Sequence, residues 1–444
     1  MHNILFVSLG CDKNLCDSEA MLGLLHDNGY QIVSSEEEAD VIVVNTCSFI
    51  HDAKQESIDT IIEMGQLKNT GKLKALVVCG CLAQRYKDDI LKELPEVDCV
   101  VGTTAFDKIV EAVNEALKGA KHSYIVSEDE LPLTESKRVM STGSVTSYLK
   151  IAEGCDKHCT YCIIPKLRGK YRSIPMERLI DEAKYMAEQG IKELIVVAQE
   201  TTVYGVDLYG KKMLPQLLKQ LAEIDGIEWI RVMYCYPEEI TDELIDTIAS
   251  NEKICKYIDI PIQHASDNVL KRMGRKATEK SLYELINKLR TAIPDIVIRT
   301  TLITGFPGET EEDFEKLLDF VYDNSFERLG VFTYSAEDGT PAAMMDNQIP
   351  ENIKEERKDA IMQMQQDIAF DNTAAKVSDV YKAIIEGYMP DEDVYVARTY
   401  MDAPGIDGFV FVNSPRQLMT GQFVDVLITG SDGYDLLGDY LKSY

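Results

Sequence analysis

No stretch of this 444-residue chain approaches the roughly 20 consecutive apolar residues that a membrane helix needs, so a helical membrane protein is not expected. The apolar start at residues 1–9 has no basic segment and is too short for a signal peptide. The LGC at 9–11, which superficially suggests a lipid-attachment site, lacks the same basic segment. The expected location is therefore cytoplasmic, with no membrane association. Disulfides are rare there, so the 11 Cys need another use. Basic residues are scarce as well: 46 Lys and Arg stand against 75 Asp and Glu, a net charge of −29. This argues against a default nucleic-acid binder, because phosphate contact relies on Lys and Arg. Two readings of the acidity remain, simple solubility or a basic protein partner. Repeats and low-complexity tracts are absent.

What is present reads as an α/β protein of several domains, since 444 residues exceed one ordinary core. Short apolar runs at 4–8, 41–45 and 75–79 read as strands, with helical patterns at 17–27, 50–66, 83–94 and 107–117. This is expected to be a doubly wound parallel α/β domain over 1–118. A polar stretch gives a linker over 119–140. Alternation then restarts, with strands at 148–152, 193–198, 227–233, 258–262, 297–303 and 330–333. Six strands with helices between them predict a partial (β/α) barrel in a core of 141–373, short of a full eight. A long amphipathic helix is expected at 351–376. Beyond it the period becomes two: 377–388, 394–400, 408–413, 423–429 and 434–440 predict a five-stranded antiparallel barrel in a last domain of 376–444.

A fourth cysteine is missing where three stand together. Cys155, Cys159 and Cys162, in GCDKHCTYC, offer three thiolates at Cys-x3-Cys-x2-Cys spacing. A structural zinc site takes four ligands, and a four-iron cluster also takes four. Three protein ligands on a cluster leave one iron open to something else. A zinc site closed by a distant residue, or disulfides, are the alternatives. A second set is dispersed: Cys11, Cys47 and Cys81 each follow a predicted strand, and in a parallel sheet those strand ends share one edge, where ligands bind. Their contexts, SLGC, NTCS and CGC, carry small residues that permit close backbone approach. Buried packing cysteines are the alternative. Cys79, Cys99, Cys235 and Cys255 read as packing residues. Cys16, at a helix start, is expected to be a non-ligand despite the lowered thiol pKa that such a position favours.

This combination resembles the methylthiotransferase family of radical S-adenosylmethionine (SAM) enzymes over essentially the whole length. The segments SLGCDKNLCDSE (8–19), AQETTVYG (198–205), IDIPIQHASDNVLKRMGR (258–275), RTTLITGFPGET (299–310) and TYSAEDGTPA (333–342) are similar to the branch that modifies a ribosomal protein, the RimO type. Asp12 departs from the Pro usual there, and Cys16 from an aliphatic residue. The resemblance implies an N-terminal cluster domain, a radical SAM core and a C-terminal TRAM barrel. It implies two [4Fe-4S] clusters, on Cys155, Cys159 and Cys162 and on Cys11, Cys47 and Cys81. SAM is expected to meet Tyr161 near its adenine, Glu200 at its amino group and the turn at Gly305. The first cluster is implied to reduce SAM to a deoxyadenosyl radical, and the second to hold the sulfur that a first SAM methylates. The implied product is a methylthio group on the β-carbon of an aspartate in the small-subunit ribosomal protein numbered twelve. An unactivated C–H bond is inert to acid–base catalysis, so no general-base constellation is expected.

Other residues admit two readings each. Gly305 and Gly308 allow close approach or simply permit a turn. His264 is a proton carrier or, preferably, a structural residue at a strand end. Lys166, Arg168, Lys170 and Arg172 neutralise the cluster or the SAM carboxylate, or form a solvated face. From 376 to 444 the chain has five Lys or Arg and eleven Asp or Glu, a net charge of −6, which suits a basic ribosomal protein through complementary potentials. The expected electron donor is a flavodoxin or ferredoxin, the sulfur donor is open, and the chain is expected to be a monomer. The rival readings are a tRNA adenosine methylthiotransferase and a non-catalytic iron–sulfur electron-transfer protein.

Overall fold

The runs VIVVNT and ALVVCG are apolar at every position except Asn45 and Thr46 at the end of the first, with no polar alternation, the pattern of strands covered on both faces. They form Val41–Thr46 and Ala75–Gly80, and every residue of both is buried. The computed structural model describes residues 2–132, 134, 136–141 and 145–443. Positions 1, 133, 135, 142–144 and 444, which fall in the expected linker or at expected domain edges, lie outside the described residues.

The first sheet is six-stranded and all parallel, in the order Gln31–Val33, Asn3–Ser8, Val41–Thr46, Ala75–Gly80, Cys99–Val101, His122–Tyr124. Separate apolar clusters cover its two faces. One is centred on Val43, Val77 and the helix Ile109–Leu117, the other on Val44, Val78 and the helix His51–Thr70. Three of these strands have three residues each, too few to show a period-two pattern. One of them, His122–Tyr124, lies inside the expected linker and completes this sheet. The helix expected over 83–94 breaks at Lys87 (φ 48°) into Cys81–Tyr86 and Asp88–Glu93.

The second sheet holds six parallel strands in sequential order: Thr146–Lys150, Glu193–Val197, Trp229–Val232, Ile254–Asp259, Val297–Thr304 and Arg328–Thr333. Ile230, Val232, Ile258 and Ile298 pack on one side with the surrounding helices. The fourth strand starts four residues earlier than expected. Lys256 interrupts its apolar run, but the ammonium folds back to donate to the Asn251 carbonyl at 2.9 Å.

The last five strands, Val380–Met389, Val394–Thr399, Val410–Asn413, Phe423–Asp432 and Asp435–Ser443, close into a barrel. One expectation fails: Val410–Asn413 pairs with Asp435–Ser443 in parallel. A ring with an odd number of strands cannot alternate direction all the way round, so at least one pair must be parallel. This barrel packs on the inner side of the second sheet, where Trp229, Cys255, Tyr257 and Val297 join its core. Glu193, fully buried, accepts from Arg231 Nε at 2.8 Å and from Arg398 Nη2 of the barrel at 2.6 Å. Tyr257 donates to Asp407 at 2.8 Å, and Arg328 to Asp402 at 2.5 Å. Two of the eleven barrel acids therefore face inward. Among the described residues no helix is long and apolar enough to cross a membrane.

Candidate cofactor site

The loop carrying Cys155, Cys159 and Cys162 follows the short strand Ala152–Glu153 and a left-handed Gly154 (φ 80°). A Cβ on Gly154 would collide with the Lys170 and Gly169 carbonyls, so glycine is required. Cys155 N–H donates to Gly169 O at 3.1 Å, Thr160 N–H to Met273 O at 2.9 Å, and Cys162 N–H to Cys159 O at 3.0 Å. The Cys159 sulfur sits close enough to bear on the ionisation of both Cys155 and Cys162. Burial pushes the Cys155 and Cys162 thiols up to about 12, and the N–H groups of Lys157 and Ile164 respectively oppose that rise.

The dispersed set gathers at the C-terminal edge of the first sheet. Cys11 begins the turn into Asp12–Asp27, Cys47 directly follows Val41–Thr46, and Cys81 directly follows Ala75–Gly80. Gly10 (φ 87°) lets the first loop approach the second: a Cβ there would sit 2.9 Å from Cys47 Cβ and 3.2 Å from its sulfur. Gly80 (φ 91°) leaves room for the Asn45 side chain and Thr46 backbone. Cys81 feels both Cys11 and Cys47, and burial pushes its thiol up to about 12. Cys47 shifts upward for the same reason, opposed by the N–H groups of Phe49 and Ser48.

Both sets fit iron–sulfur ligation by the chemistry of their donors. Each offers three thiols, buried or half-buried except for the exposed Cys11, and backbone N–H groups at the sulfurs of Cys155, Cys162 and Cys47 stabilise thiolates and would tune a bound cluster. Among the described residues no three His, Cys, Asp or Glu close around a single metal ion. A four-iron cluster asks for a wider triangle, because each thiolate takes its own iron. The sets are neighbours: Cys81 packs with Ile163 and Leu167, on the segment that follows Cys162.

Glu200 is 2% exposed, just beyond the strand Glu193–Val197. Its Oε1 accepts from Thr202 N–H at 2.8 Å and from the Thr202 hydroxyl. Its Oε2 faces Lys157 Nζ at 3.4 Å with no hydrogen bond, a buried acceptor with room for a donor. Burial raises its pKa. Lys157, between Cys155 and Cys159, joins this carboxylate to the cysteine loop. Tyr161 is half-buried, its ring edge-on to Phe306 at 6.4 Å between centroids. Gly305 (φ 69°) is less open than expected, since the Lys354 side chain fills the space a Cβ would take. Gly308 (φ 80°) is covered likewise by the Arg272 guanidinium. His264 is fully buried, accepts from Ser266 N–H at 3.0 Å and lies 3.5 Å from Glu309.

The basic run divides. Lys166 donates to Gly339 O at 2.7 Å, Lys170 is exposed, and Arg172 donates to the Lys170 and Arg168 carbonyls. Arg168 alone is buried, and it reaches the N-terminal domain. Cys16 is buried with its sulfur 3.6 Å from Tyr148 O, while Cys79, Cys99, Cys235 and Cys255 are buried in sheets or their flanks. Sequence reasoning missed Asn14, Lys157 and the clamp in which Glu337 accepts from Lys54 at 2.8 Å and Arg85 at 3.0 Å. For Asn14 a signal existed: a polar residue one helical turn after Cys11, on the same face.

The chain matches the family described as Uncharacterized protein family UPF0004 over residues 3–102, the Radical SAM superfamily over 149–321 and the TRAM domain over 377–441. It is 60% identical to the ribosomal protein uS12 methylthiotransferase RimO of Lachnoclostridium phytofermentans, across 98% of this chain and 99% of that one. With the protein of the same name from Acetivibrio thermocellus it shares 51% identity, across 98% of each. Among solved structures, the radical SAM methyltransferase TsrM from Kitasatospora setae superposes with a TM-score of 0.54 at 13% identity, covering 74% of this chain and 73% of that one. The cobalamin-dependent SAM radical enzyme OxsB gives 0.51 at 14% identity, covering 83% and 56%. These two likenesses are of fold.

Proposed function

The chain belongs to the ribosomal protein uS12 methylthiotransferase family of radical SAM enzymes, and on that premise we propose that it transfers a methylthio group to the β-carbon of an aspartate in uS12, using two [4Fe-4S] clusters and SAM. The observation that carries this reading is the pair of three-thiol sets, one on each domain, with Cys81 of one packed on Ile163 and Leu167 in the segment that follows Cys162 of the other. When bound, the clusters and SAM supply the electron, the radical and the transferred sulfur, chemistry that belongs to cofactors. The chain supplies ligands and orientation. Cys155, Cys159 and Cys162 would hold one cluster, and Cys11, Cys47 and Cys81 the other, three protein ligands to each.

Glu200 is assigned to the SAM amino group, through the Oε2 that lacks a hydrogen bond. A buried carboxylate with a charged donor makes a short, strong bond. Tyr161 lies two residues beyond Cys159 and is assigned to the adenine. Gly305 contributes only as part of the turn after Val297–Thr304, because Lys354 occupies its open side. The barrel favours a protein substrate over RNA: its exposed acidic turn Asp391, Glu392 and Asp393 complements a basic partner. The electron donor is assigned to the flavodoxin or ferredoxin class, and the enzyme to the cytoplasm as a monomer.

The test is anaerobic reconstitution followed by turnover with SAM and reductant, offering uS12 and tRNA side by side. Mass spectrometry of uS12 should show one methylthio group on an aspartate. Modification of tRNA instead would move the function to the adenosine branch. SAM-insensitive spectra of both clusters would leave only electron transfer.

A further inference from the structure

Of the four basic residues after Cys162, Arg168 has the fewest routes to water, being 2% exposed at the end of the helix Ile164–Arg168. Its Nη1 donates to Asp17 at 3.0 Å and Glu153 at 2.9 Å, and its Nη2 to Asn14 Oδ1 at 2.5 Å. Asn14 is itself a hub. Its Nδ2 donates to Leu9 O and to Thr46 O, each at 3.0 Å, and those carbonyls belong to the approaches to Cys11 and Cys47. Cys81 Sγ lies 3.8 Å from Asn14 Oδ1. One asparagine therefore touches the segments that present all three dispersed cysteines. At the other end, Gly169, the residue after Arg168, accepts the N–H of Cys155.

Charge gives the second half of the argument. Lys150 pairs with Asp17 and, at 2.8 Å, with Glu153, while Gln199 also donates to Glu153 at 2.8 Å. Arg168 and Lys150 balance Asp17 and Glu153, so the buried quartet is neutral before any thiolate is counted. Without Arg168 a net negative charge would remain beside Cys81 and Cys11, both of which lie within the guanidinium's field.

We propose that Arg168 is a positioning residue that ties the two cysteine sets together through Asn14 and supplies the cationic charge that eases reduction at the Cys11, Cys47 and Cys81 set. This rests on the two-cluster reading above. Cluster potentials respond to net charge and to hydrogen bonds near the sulfurs, whereas an ion pair that only joins two domains affects stability.

The test uses the full chain with Cys155, Cys159 and Cys162 all replaced by Ala, so that only the N-terminal cluster remains. Its midpoint potential is read by reductive titration followed by electron paramagnetic resonance. Arg168→Gln should move the midpoint to a more negative value, and Arg168→Lys, which keeps the charge, should restore most of it. An unchanged midpoint in Arg168→Gln overturns the proposal, and so does a Lys variant shifted as far as Gln. If Arg168→Gln loses its iron, the lysine variant decides in the enzyme that keeps Cys155, Cys159 and Cys162. Lysine lacks the fork that reaches Asn14 and Asp17 together, so SAM cleaved per methylthio product should rise several-fold, and unchanged coupling overturns the tie. A triple-alanine parent that binds no iron overturns both this inference and the reading beneath it.

Discussion

The two cysteine sets each bring three thiols together, by opposite routes. Cys155, Cys159 and Cys162 lie within eight residues, on a loop pinned by its own turns and by Gly169 and Met273. Cys11, Cys47 and Cys81 span seventy residues and meet only because three parallel strands end at one edge of a sheet. The local set pays its ordering cost over one short loop. The dispersed set depends on the whole domain being folded, because loop closure over long separations is recovered only by the packing of the sheet. A fault in strand packing should therefore strike the second set first.

Removing one ligand from each set is the strongest way to break the comparison. Cys155→Ala should abolish SAM cleavage and lower reconstituted iron from about eight to about four per chain, on four per cluster. Cys11→Ala should show the same loss of iron and no methylthio product, yet retain SAM cleavage uncoupled from transfer. Full iron and product formation in Cys11→Ala would show that the dispersed cysteines are packing residues.

Gly80→Ala separates the routes without touching a sulfur. Gly80 has φ 91° and ψ −153°, a region almost restricted to glycine, and occupying it costs another residue about 1–3 kcal/mol. The new Cβ would also meet Thr46 backbone. Iron at the dispersed set should fall while SAM cleavage at the local set persists. Equal loss at both sets would mean that the domains do not fail independently.

Glu200→Gln tests the local set's partner. Hydrogen bonds to charged groups contribute about 1.5–3 kcal/mol, so SAM affinity should weaken about tenfold or more, with both clusters retained. Equilibrium binding of SAM to the reconstituted variant measures this, and unchanged affinity would remove Glu200 from the site. The smallest effect is expected at Cys16. Its sulfur points to Tyr148 O, so Cys16→Ala should keep all the iron, and loss of about half would make it a ligand.

The local set was legible as spacing alone, and the dispersed set became legible once strands were placed, since VIVVNT and ALVVCG announce a doubly covered parallel sheet whose strand ends coincide. The six strands of the core and the five of the last barrel were readable from period and turn residues. Three-residue strands such as His122–Tyr124 were not, because three positions carry no periodicity. The parallel closure of the barrel was hidden too, although an odd strand count requires it.

What the sequence by itself determined is therefore whatever depends on near neighbours along the chain: the Cys-x3-Cys-x2-Cys loop, the helical and strand periods, the acidic balance. What tertiary structure decided is which charges meet. Arg168 belonged, in the sequence, to a run of four basic residues with nothing to distinguish it. Folding leaves Lys170 in solvent and turns Arg168 onto Asn14, Asp17 and Glu153. Gly305 looked open to a ligand until Lys354, from a helix about fifty residues away, filled its side. The physical reason is common to both. Local propensities act through backbone sterics and side-chain spacing over a few residues, while the partner of a buried charge is set by how whole elements pack and by the desolvation cost of leaving it alone.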